Sequence, residues 1–216
     1  MSTPSFDSRA PSFRQELHVQ RWDDHRYYHQ SRVNQTLHLV SALTFLSAYI
    51  VVFFDPAVAA LLGWLVAMVT RQSGHFFFEP NGYDEVNDAT HEYKESIKVG
   101  YNLHRKVILH AVWILSPMTL WFSPTLFGRL PEPVGFWGHL HHVGWIWFVL
   151  GVAAVSARAL YLGLTQSWRT GIVWVAKILT DPFHDVAIYW RSPLALLRGE
   201  WLDPMHDVQA EQVASR

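Results

Sequence analysis

The sequence predicts an all-α membrane protein, a polytopic helical bundle of about four transmembrane helices with further interfacial helices. Two observations lead to this prediction. Half of the 216 residues are hydrophobic and only 16% are charged, whereas soluble domains carry roughly 25% charged residues. The apolar residues are also gathered in four long runs that alternate with polar segments.

The four apolar runs have lengths close to that of a membrane-spanning helix. They are residues 37–54, 57–70, 107–122 and 143–164. A spanning helix needs about 20 apolar residues, so we expect the second and third helices to tilt or to extend beyond their runs. Asp55-Pro56 predicts a turn between the first two helices, because proline lacks a backbone donor and restricts the residue before it. The two short runs leave one alternative open, a soluble bundle with buried aromatic helices.

The distribution of charge predicts the orientation in the membrane. The expected organisation is an N-terminal segment 1–36, a membrane domain 37–164 and a C-terminal segment 165–216. Of the 17 Lys and Arg, only Arg129 lies on the side of the short turn and the 123–142 loop. The positive-inside rule therefore predicts that both termini and the polar 71–106 segment are cytoplasmic.

Three polar segments outside the runs carry further expectations. Residues 12–36 are expected to be helical, and Pro80-Asn81-Gly82 is expected to turn before another helix. Residues 170–190 mix apolar side chains with Lys177 and His184. Such a mixture predicts an amphipathic helix at the membrane interface, broken near Pro182.

The composition excludes several classes of function. The chain contains no cysteine, which excludes disulfides, zinc ribbons, iron–sulfur clusters and cysteine nucleophiles. A net charge of -1 without a long basic run argues against a nucleic-acid-binding surface. Thirteen histidines are present, so a bound metal would be held by imidazole and carboxylate groups.

The positions of four histidines in the predicted topology point to one site. His38 begins the first run, His75 follows the second, and His104 precedes the third. These imidazoles are expected at one membrane level, where an ionisable side chain is costly unless it is paired or functional. His29 and His38 are nine residues apart, about 180° around a straight helix. Both can face one centre only if the helix breaks or bends between them.

Spacing adds carboxylates to these histidines. His75/Glu79 and His91/Glu95 are each four residues apart, so each pair shares a face if its segment is helical. Imidazoles with one or two carboxylates suit iron, zinc, copper or manganese. The group His139, His141 and His142 looks like a fragment of a desaturase histidine cluster, but it is predicted on the opposite side of the membrane.

Two motifs resemble those of a known family. Tyr28 to His38 has the form Y-H-x4-N-x3-H, and Gly74 to Glu79 has the form G-H-x2-F-E. Together they resemble the small membrane proteins typified by the fungal 2-hydroxy fatty acid dioxygenase of the endoplasmic reticulum. Members of that family depend on Fe(II) and cleave a 2-hydroxy fatty acid, with dioxygen, to the acid one carbon shorter. The resemblance covers about residues 25–79.

The resemblance implies an iron site at the cytoplasmic interface, with one or two ions, a fatty-acid substrate and dioxygen. The residues implicated directly are His29, Asn34, His38, His75 and Glu79. His29, His38 and His75 are the first-choice ligands, followed by His91 and His104. Glu79 is expected to be a ligand, a support for an imidazole or a proton acceptor, and Asn34 to orient a ligand or dioxygen by hydrogen bonding. Arg71, Arg105 and Lys106 lie at the level where a substrate carboxylate is expected.

Two other functions stay open on the sequence alone. One is a dinuclear-iron lipid hydroxylase or desaturase, which requires many more of the histidines. The other is a non-catalytic membrane protein that binds a metal, haem or a lipid. The sequence makes no prediction of oligomeric state.

Overall fold

The computed structural model describes residues 12–79, 82–97 and 103–206, with the side chains of Glu95 and of residues 103–106 outside this description. Over the described ranges the chain is all-helical and has no β-strand, which confirms the predicted class. The helices are α1 (Phe13–Tyr28), α2 (Arg32–Val51), α3 (Pro56–Phe77), α4 (His91–Ile97), α5 (Leu103–Leu115), α6 (Gly135–Thr165), α7 (Trp168–Tyr189) and α8 (Ser192–Leu197). After α5 a 3₁₀ turn and a short helix carry the chain to Phe122.

The predicted N-terminal helical segment forms two helices with a break between them. Ser12 caps α1 in a capping box with Gln15, which satisfies backbone donors that a helix leaves free at its start. The helix ends at Tyr28, and Ser31 then caps α2 through the backbone N–H of Asn34. His29 therefore lies in the break and not on either helix.

The turn predicted at Asp55-Pro56 begins α3. The Asp55 carboxylate accepts from the backbone N–H groups of Ala57 and Val58 at 2.9 and 3.1 Å, and proline fits the first helical position. The helix is α-helical to Leu62, π-helical over Gly63–Met68, and α-helical again to Phe77. It extends beyond the 57–70 run and brings His75 into its last turn.

Two helices are long and apolar enough to cross a membrane, Pro56–Phe77 and Gly135–Thr165. Val107–Phe122 is apolar but shorter. The first predicted run lies in α2, which begins with polar residues and does not reach the same apolar criterion. By length and composition, the described chain thus contains two candidate membrane spans.

The bundle is built around α2, which packs against α3, α7 and α8, while α6 packs against α3 and α7. Trp64, Trp113 and Trp147 form an aromatic cluster where α3, α5 and α6 meet. The indole N–H of Trp64 donates to the Trp147 carbonyl at 3.1 Å, and that of Trp147 donates to the Trp113 carbonyl at 3.2 Å. These bonds fix two large rings inside the apolar part of the bundle.

The C-terminal segment is part of the bundle. The expected break near Pro182 is absent, because α7 continues through this proline to Tyr189. A proline inside a helix removes one hydrogen bond, and the packing of α7 on α1, α2 and α6 offsets that loss. Lys177, Asp181, Asp185 and Tyr189 are buried at four-residue spacing, so they form one inward face of α7.

The segment after α3 covers the junction of α1 and α2. Pro80 and Asn81 of the predicted turn lie outside the described residues, and the helix expected after it begins at His91. The Tyr28 hydroxyl donates to the Lys94 carbonyl at 2.6 Å. Tyr27, Tyr28 and Ala89 form a buried apolar cluster there, so this segment closes one end of the bundle.

Gly144→Ala is expected to destabilise the fold. A Cβ atom at Gly144 would meet the backbone of Ala57 far inside van der Waals contact, which forces α3 and α6 apart. Overpacking of this kind costs about 1–3 kcal/mol. The measurement is the free energy of unfolding in detergent, followed by tryptophan fluorescence.

Gly151→Ala is the matched control, because a Cβ atom there lies 3.8 Å from Trp64, an ordinary contact on the same helix. Equal stability of the two variants would contradict the close approach of α3 and α6.

Candidate metal centre

Three histidines from separate parts of the chain meet at one end of the bundle. His29 lies in the break between α1 and α2, His38 in the second turn of α2, and His75 in the last turn of α3. One ring nitrogen from each lies within 4.8 Å of the others. The ring centroids are 4.1 Å apart for His29 and His38, 4.8 Å for His38 and His75, and 5.3 Å for His29 and His75. We call these three residues the histidine triad.

The His29 imidazole is oriented by a backbone carbonyl. Its Nδ1 lies 2.8 Å from the Asp24 carbonyl oxygen, which can only accept, so Nδ1 carries the proton. Nε2 then presents its lone pair to the centre of the triad, 3.1 Å from His38 Nε2. Burial, and after it the neighbouring His38, holds the pKa of His29 well below its usual value. The ring is therefore neutral at pH 7, as a metal ligand must be.

The His75 imidazole is oriented by Glu79. Nδ1 of His75 lies 2.7 Å from Oε2 of Glu79, one turn further along the chain. Because Nδ1 donates to this carboxylate, Nε2 is the nitrogen that remains for the centre. Glu79 does not belong to the group of possible ligands among the described residues. Of the three roles expected for Glu79, this geometry fits support of an imidazole, an arrangement common behind metal-bound histidines.

A third acceptor lies behind His38. Asp185 on α7 places Oδ2 3.6 Å from His38 Nδ1 and accepts from Arg71 at 2.8 Å. The Tyr189 ring packs against His29 and His38, with centroids 5.6 and 6.3 Å away. The 3.6 Å separation is too long for a hydrogen bond, so the contacts at Nδ1 favour Nε2 for the centre at His29 and His75.

Asn34 and Gly74 bring two segments of the chain together, residues 28–38 and 74–79. Nδ2 of Asn34 donates to the Tyr28 carbonyl at 2.7 Å and so closes the break between α1 and α2. The other end of the same amide faces Gly74, where a Cβ atom would overlap with Oδ1. Glycine before His75 therefore lets α3 approach α2 closely. This contact gives Asn34 a positioning role, next to the catalytic role expected from the sequence.

A large apolar cavity reaches two residues of the triad, His29 and His75. It has a volume of about 570 Å³, and its walls come mainly from α1, α2, α3, α6 and α7. His29, Arg71, His75 and Lys177 line its polar end. Its other lining residues are mainly aliphatic and aromatic, among them Phe45, Val52, Met68 and Trp147. This volume falls within the range of pockets for small ligands.

Buried ion pairs join α1 and α7 beside the cavity. Lys177 binds the carboxylates of Asp24 and Asp181, the latter at 2.6 Å, and Arg21 binds Asp181 at 3.2 Å. Burial disfavours the Lys177 ammonium, but the two carboxylates outweigh that effect and raise the pKa of Lys177. Lys177 is therefore charged, and it helps to keep α7 over the triad.

The remaining predicted site residues fall outside this centre or outside the described atoms. His91 is the first residue of α4 and does not join a possible metal-binding group in the described ranges. The side chains of His104, Arg105 and Lys106 are not among those described. Arg71 lies at the polar end of the cavity, where it binds Asp185.

The histidine group of α6 lies at the opposite end of the bundle. His141 Nε2 is 3.2 Å from the Asp55 carboxylate, and His142 Nδ1 is 2.8 Å from the Pro124 carbonyl. Asp55 directly precedes α3, and His75 lies in the last turn of α3, 20 residues further along the chain. This separation corresponds to about 30 Å at 1.5 Å per residue. This group therefore cannot contribute to the triad.

Sequence reasoning missed the contribution of α7. Asp185 and Tyr189 lie beside the triad, although they were expected in a peripheral interfacial helix. The signal that identifies them is the four-residue spacing of Lys177, Asp181, Asp185 and Tyr189, which puts charged groups on one face of an apolar helix. In such a helix, buried charges mark a functional or paired site.

Comparison with family models, with curated proteins and with solved structures finds no match to this chain.

Glu79→Ala is expected to weaken metal binding about 10- to 100-fold, the usual effect of removing the group behind a histidine ligand. His75 would lose the acceptor that fixes its Nδ1–H and its ring orientation. The measurement is the metal dissociation constant, determined by competition with a chelator.

Glu85→Ala is the control, because Glu85 is an exposed carboxylate of the neighbouring segment. Glu79→Gln should recover part of the affinity, since its amide oxygen can accept from Nδ1. Unchanged affinity in Glu79→Ala would show that Glu79 does not orient the ligand.

Proposed function

We propose that this protein is an iron-dependent membrane oxygenase that uses dioxygen to shorten a 2-hydroxy fatty acid by one carbon. The observation that carries the proposal is the position of the histidine triad at the polar end of a large apolar cavity. A metal at the triad would meet the head group of a lipid whose chain fills the cavity.

The donor set supports a metal at this place. His29 and His75 each have Nδ1 engaged by an oxygen acceptor, so both turn Nε2 toward the same centre. Three imidazoles suit iron, zinc, copper or nickel, and the choice of iron rests on the resemblance of the two motifs. Bound Fe(II) with open coordination positions supplies dioxygen activation.

The side chains of this protein then bind, orient and shield the substrate. His29, His38 and His75 hold the metal, while Glu79 and the Asp24 carbonyl keep two of the imidazoles in the binding tautomer. The apolar walls of the cavity hold the acyl chain and exclude water. One dioxygen and one 2-hydroxy acid give the acid one carbon shorter, carbon dioxide and water, so no further reductant is needed.

We further propose that the chain spans the membrane four times. The spans are residues 37–54, which comprise most of α2 and the turn after it, then α3, residues 107–122, and α6. Two observations support α2 and the shorter helix as spans beside the two long candidates. Val40, Leu43 and Ile50 of α2 are exposed, and such outward apolar faces need a lipid or protein cover. Exposed aromatic residues also gather where the chain turns at the far end, and they are Phe53, Phe54, Trp121, Phe122, Phe136 and Trp137.

Such an aromatic belt is typical of a membrane–water interface. The contact of His141 with Asp55 joins two of these turns at the same end of the bundle. The excess of Lys and Arg on the other side supports a cytoplasmic position of the triad and both termini.

Among the rival functions, the dinuclear hydroxylase requires a second set of ligands. The described residues contain one group of three histidines that can hold a metal. His25, a further candidate, instead lies 3.1 Å from the Tyr189 hydroxyl through Nδ1. These observations favour one iron. A non-catalytic binding protein would retain the metal or the lipid but consume no oxygen.

The test is iron content and turnover in histidine variants of the detergent-purified protein, never exposed to chelator. Each of His29→Ala, His38→Ala and His75→Ala is expected to lower bound iron from about one per chain to about a tenth or less, because each removes one of three ligands. Oxygen consumption and release of the shortened acid from 2-hydroxypalmitate should fall in parallel.

His141→Ala is the matched control at the opposite end of the bundle and should keep both iron and turnover. Iron loss in His141→Ala, or turnover that survives without the triad, would contradict the proposal. Tightly bound iron without turnover of any 2-hydroxy acid would favour the non-catalytic alternative.

A further inference from the structure

The cavity beside the triad is long enough for a membrane lipid chain. Its lining extends along α3 from His75 to Ala59, 16 residues and thus about 24 Å at 1.5 Å per residue. The acyl chains of one leaflet fill half of a hydrocarbon core about 30 Å thick, which is about 15 Å. The cavity is therefore longer than such a chain and can hold all of it.

The polar end of the cavity favours a ligand with a hydrogen-bond donor. Gln20 and Gln72 both line it and are more than nine-tenths buried. Among the described residues, the Oε1 atom of each has no hydrogen-bond partner. A buried acceptor without a partner is costly, so the single O–H donor of a ligand hydroxyl group would satisfy one of the two amides.

The space beyond the polar end is small. A second cavity next to His29 and Tyr189 has a volume of about 10 Å³, which is close to the space that one water molecule needs. The surrounding ion pairs of Arg21, Lys177 and Asp181 occupy the rest of this region. Little space is left beyond the cavity for a bulky head group, which fits a single-chain hydroxy acid better than a phospholipid.

The far end of the cavity is bounded by fixed side chains and by glycines. Trp64 and Trp147 are held by their indole hydrogen bonds, so they form a stable wall. Gly63 and Gly151 line the cavity beside this wall. A Cβ atom at Gly63 would lie 3.6 Å from Phe45, and one at Gly151 would lie 3.8 Å from Trp64. Both positions accept a Cβ atom without overlap, so the missing side chains leave room for a ligand.

We infer that this cavity selects a single-chain 2-hydroxy acid by its length, with Gly63 and Gly151 leaving the space for the end of a long chain. The inference rests on the proposed function for the head group. Gly63 precedes His75 by 12 residues on α3, about 18 Å along the helix. A larger side chain there, or at Gly151, would shorten the cavity at its far end and leave the triad unchanged.

The experiment measures equilibrium binding of radiolabelled 2-hydroxypalmitate and 2-hydroxydecanoate to the full chain in detergent, together with iron content. The parent protein should bind the longer acid more tightly. Gly151→Leu should weaken binding of 2-hydroxypalmitate at least about tenfold, because excluding two methylene groups from an apolar site is enough for that loss. Binding of 2-hydroxydecanoate should change less than about twofold, since excluding even one methylene would cost more.

Ala153→Leu is the matched control, because Ala153 lies two residues away on α6 with an exposed side chain and does not line the cavity. It should bind both acids like the parent. Gly63→Leu is a second, independent variant with the same expected result, and it tests the inference if Gly151→Leu does not fold.

The outcomes separate this inference from the proposed function. The inference would be overturned if a folded Gly151→Leu or Gly63→Leu variant that keeps its iron lost affinity for both acids equally, or lost affinity for neither. Length-dependent binding in a parent protein that holds no iron would sustain the inference and contradict the proposed oxygenase. Absence of binding of either acid to the parent would overturn the inference.

Discussion

The break in the helix between Tyr28 and Arg32 is the constraint on which the centre depends. Without it His29 and His38 would lie on opposite sides of one helix, and the triad would not exist. The chain stabilises this break from both sides. The side-chain amide of Asn34 donates a hydrogen bond to the Tyr28 carbonyl, and that of Gln35 donates to the His29 carbonyl, each at 2.7 Å. The backbone of the C-terminal segment also pairs across the break, with a Trp201 carbonyl accepting from Arg32 at 3.0 Å.

Around that break, an apolar region of the bundle lies directly next to a region of buried charged side chains. The apolar cavity lies between α1, α2, α3, α6 and α7, whereas its polar end is closed by ion pairs between α1, α3 and α7. Buried ion pairs contribute little net stability, but breaking one leaves a costly unpaired charge. Their effect here is positional, since Asp185 and Lys177 keep α7 over the histidines. A lipid could thus lie in the apolar layer while its head group reaches the triad.

Much of this arrangement was predictable from sequence because it follows from local rules. Apolar composition predicted an all-helical chain, Asp55-Pro56 predicted a turn, and the nine-residue spacing of His29 and His38 required a break if both face one site. The four-residue spacing on α7 indicates one polar face but not what that face packs against, because the sequence looks the same whether those charges face water or partners on other helices. The role of Gly74 was also hidden, since its contact with Asn34 exists only after α2 and α3 pack.

The central claim is that three imidazoles hold one metal at the end of the cavity. X-ray absorption spectroscopy of the purified protein at the iron edge, with iron quantified per chain, tests it most directly. We expect about one iron per chain with three histidine nitrogens as its protein ligands, in line with the triad. Two irons per chain, a site with mostly oxygen ligands, or a folded protein that holds no metal would contradict it.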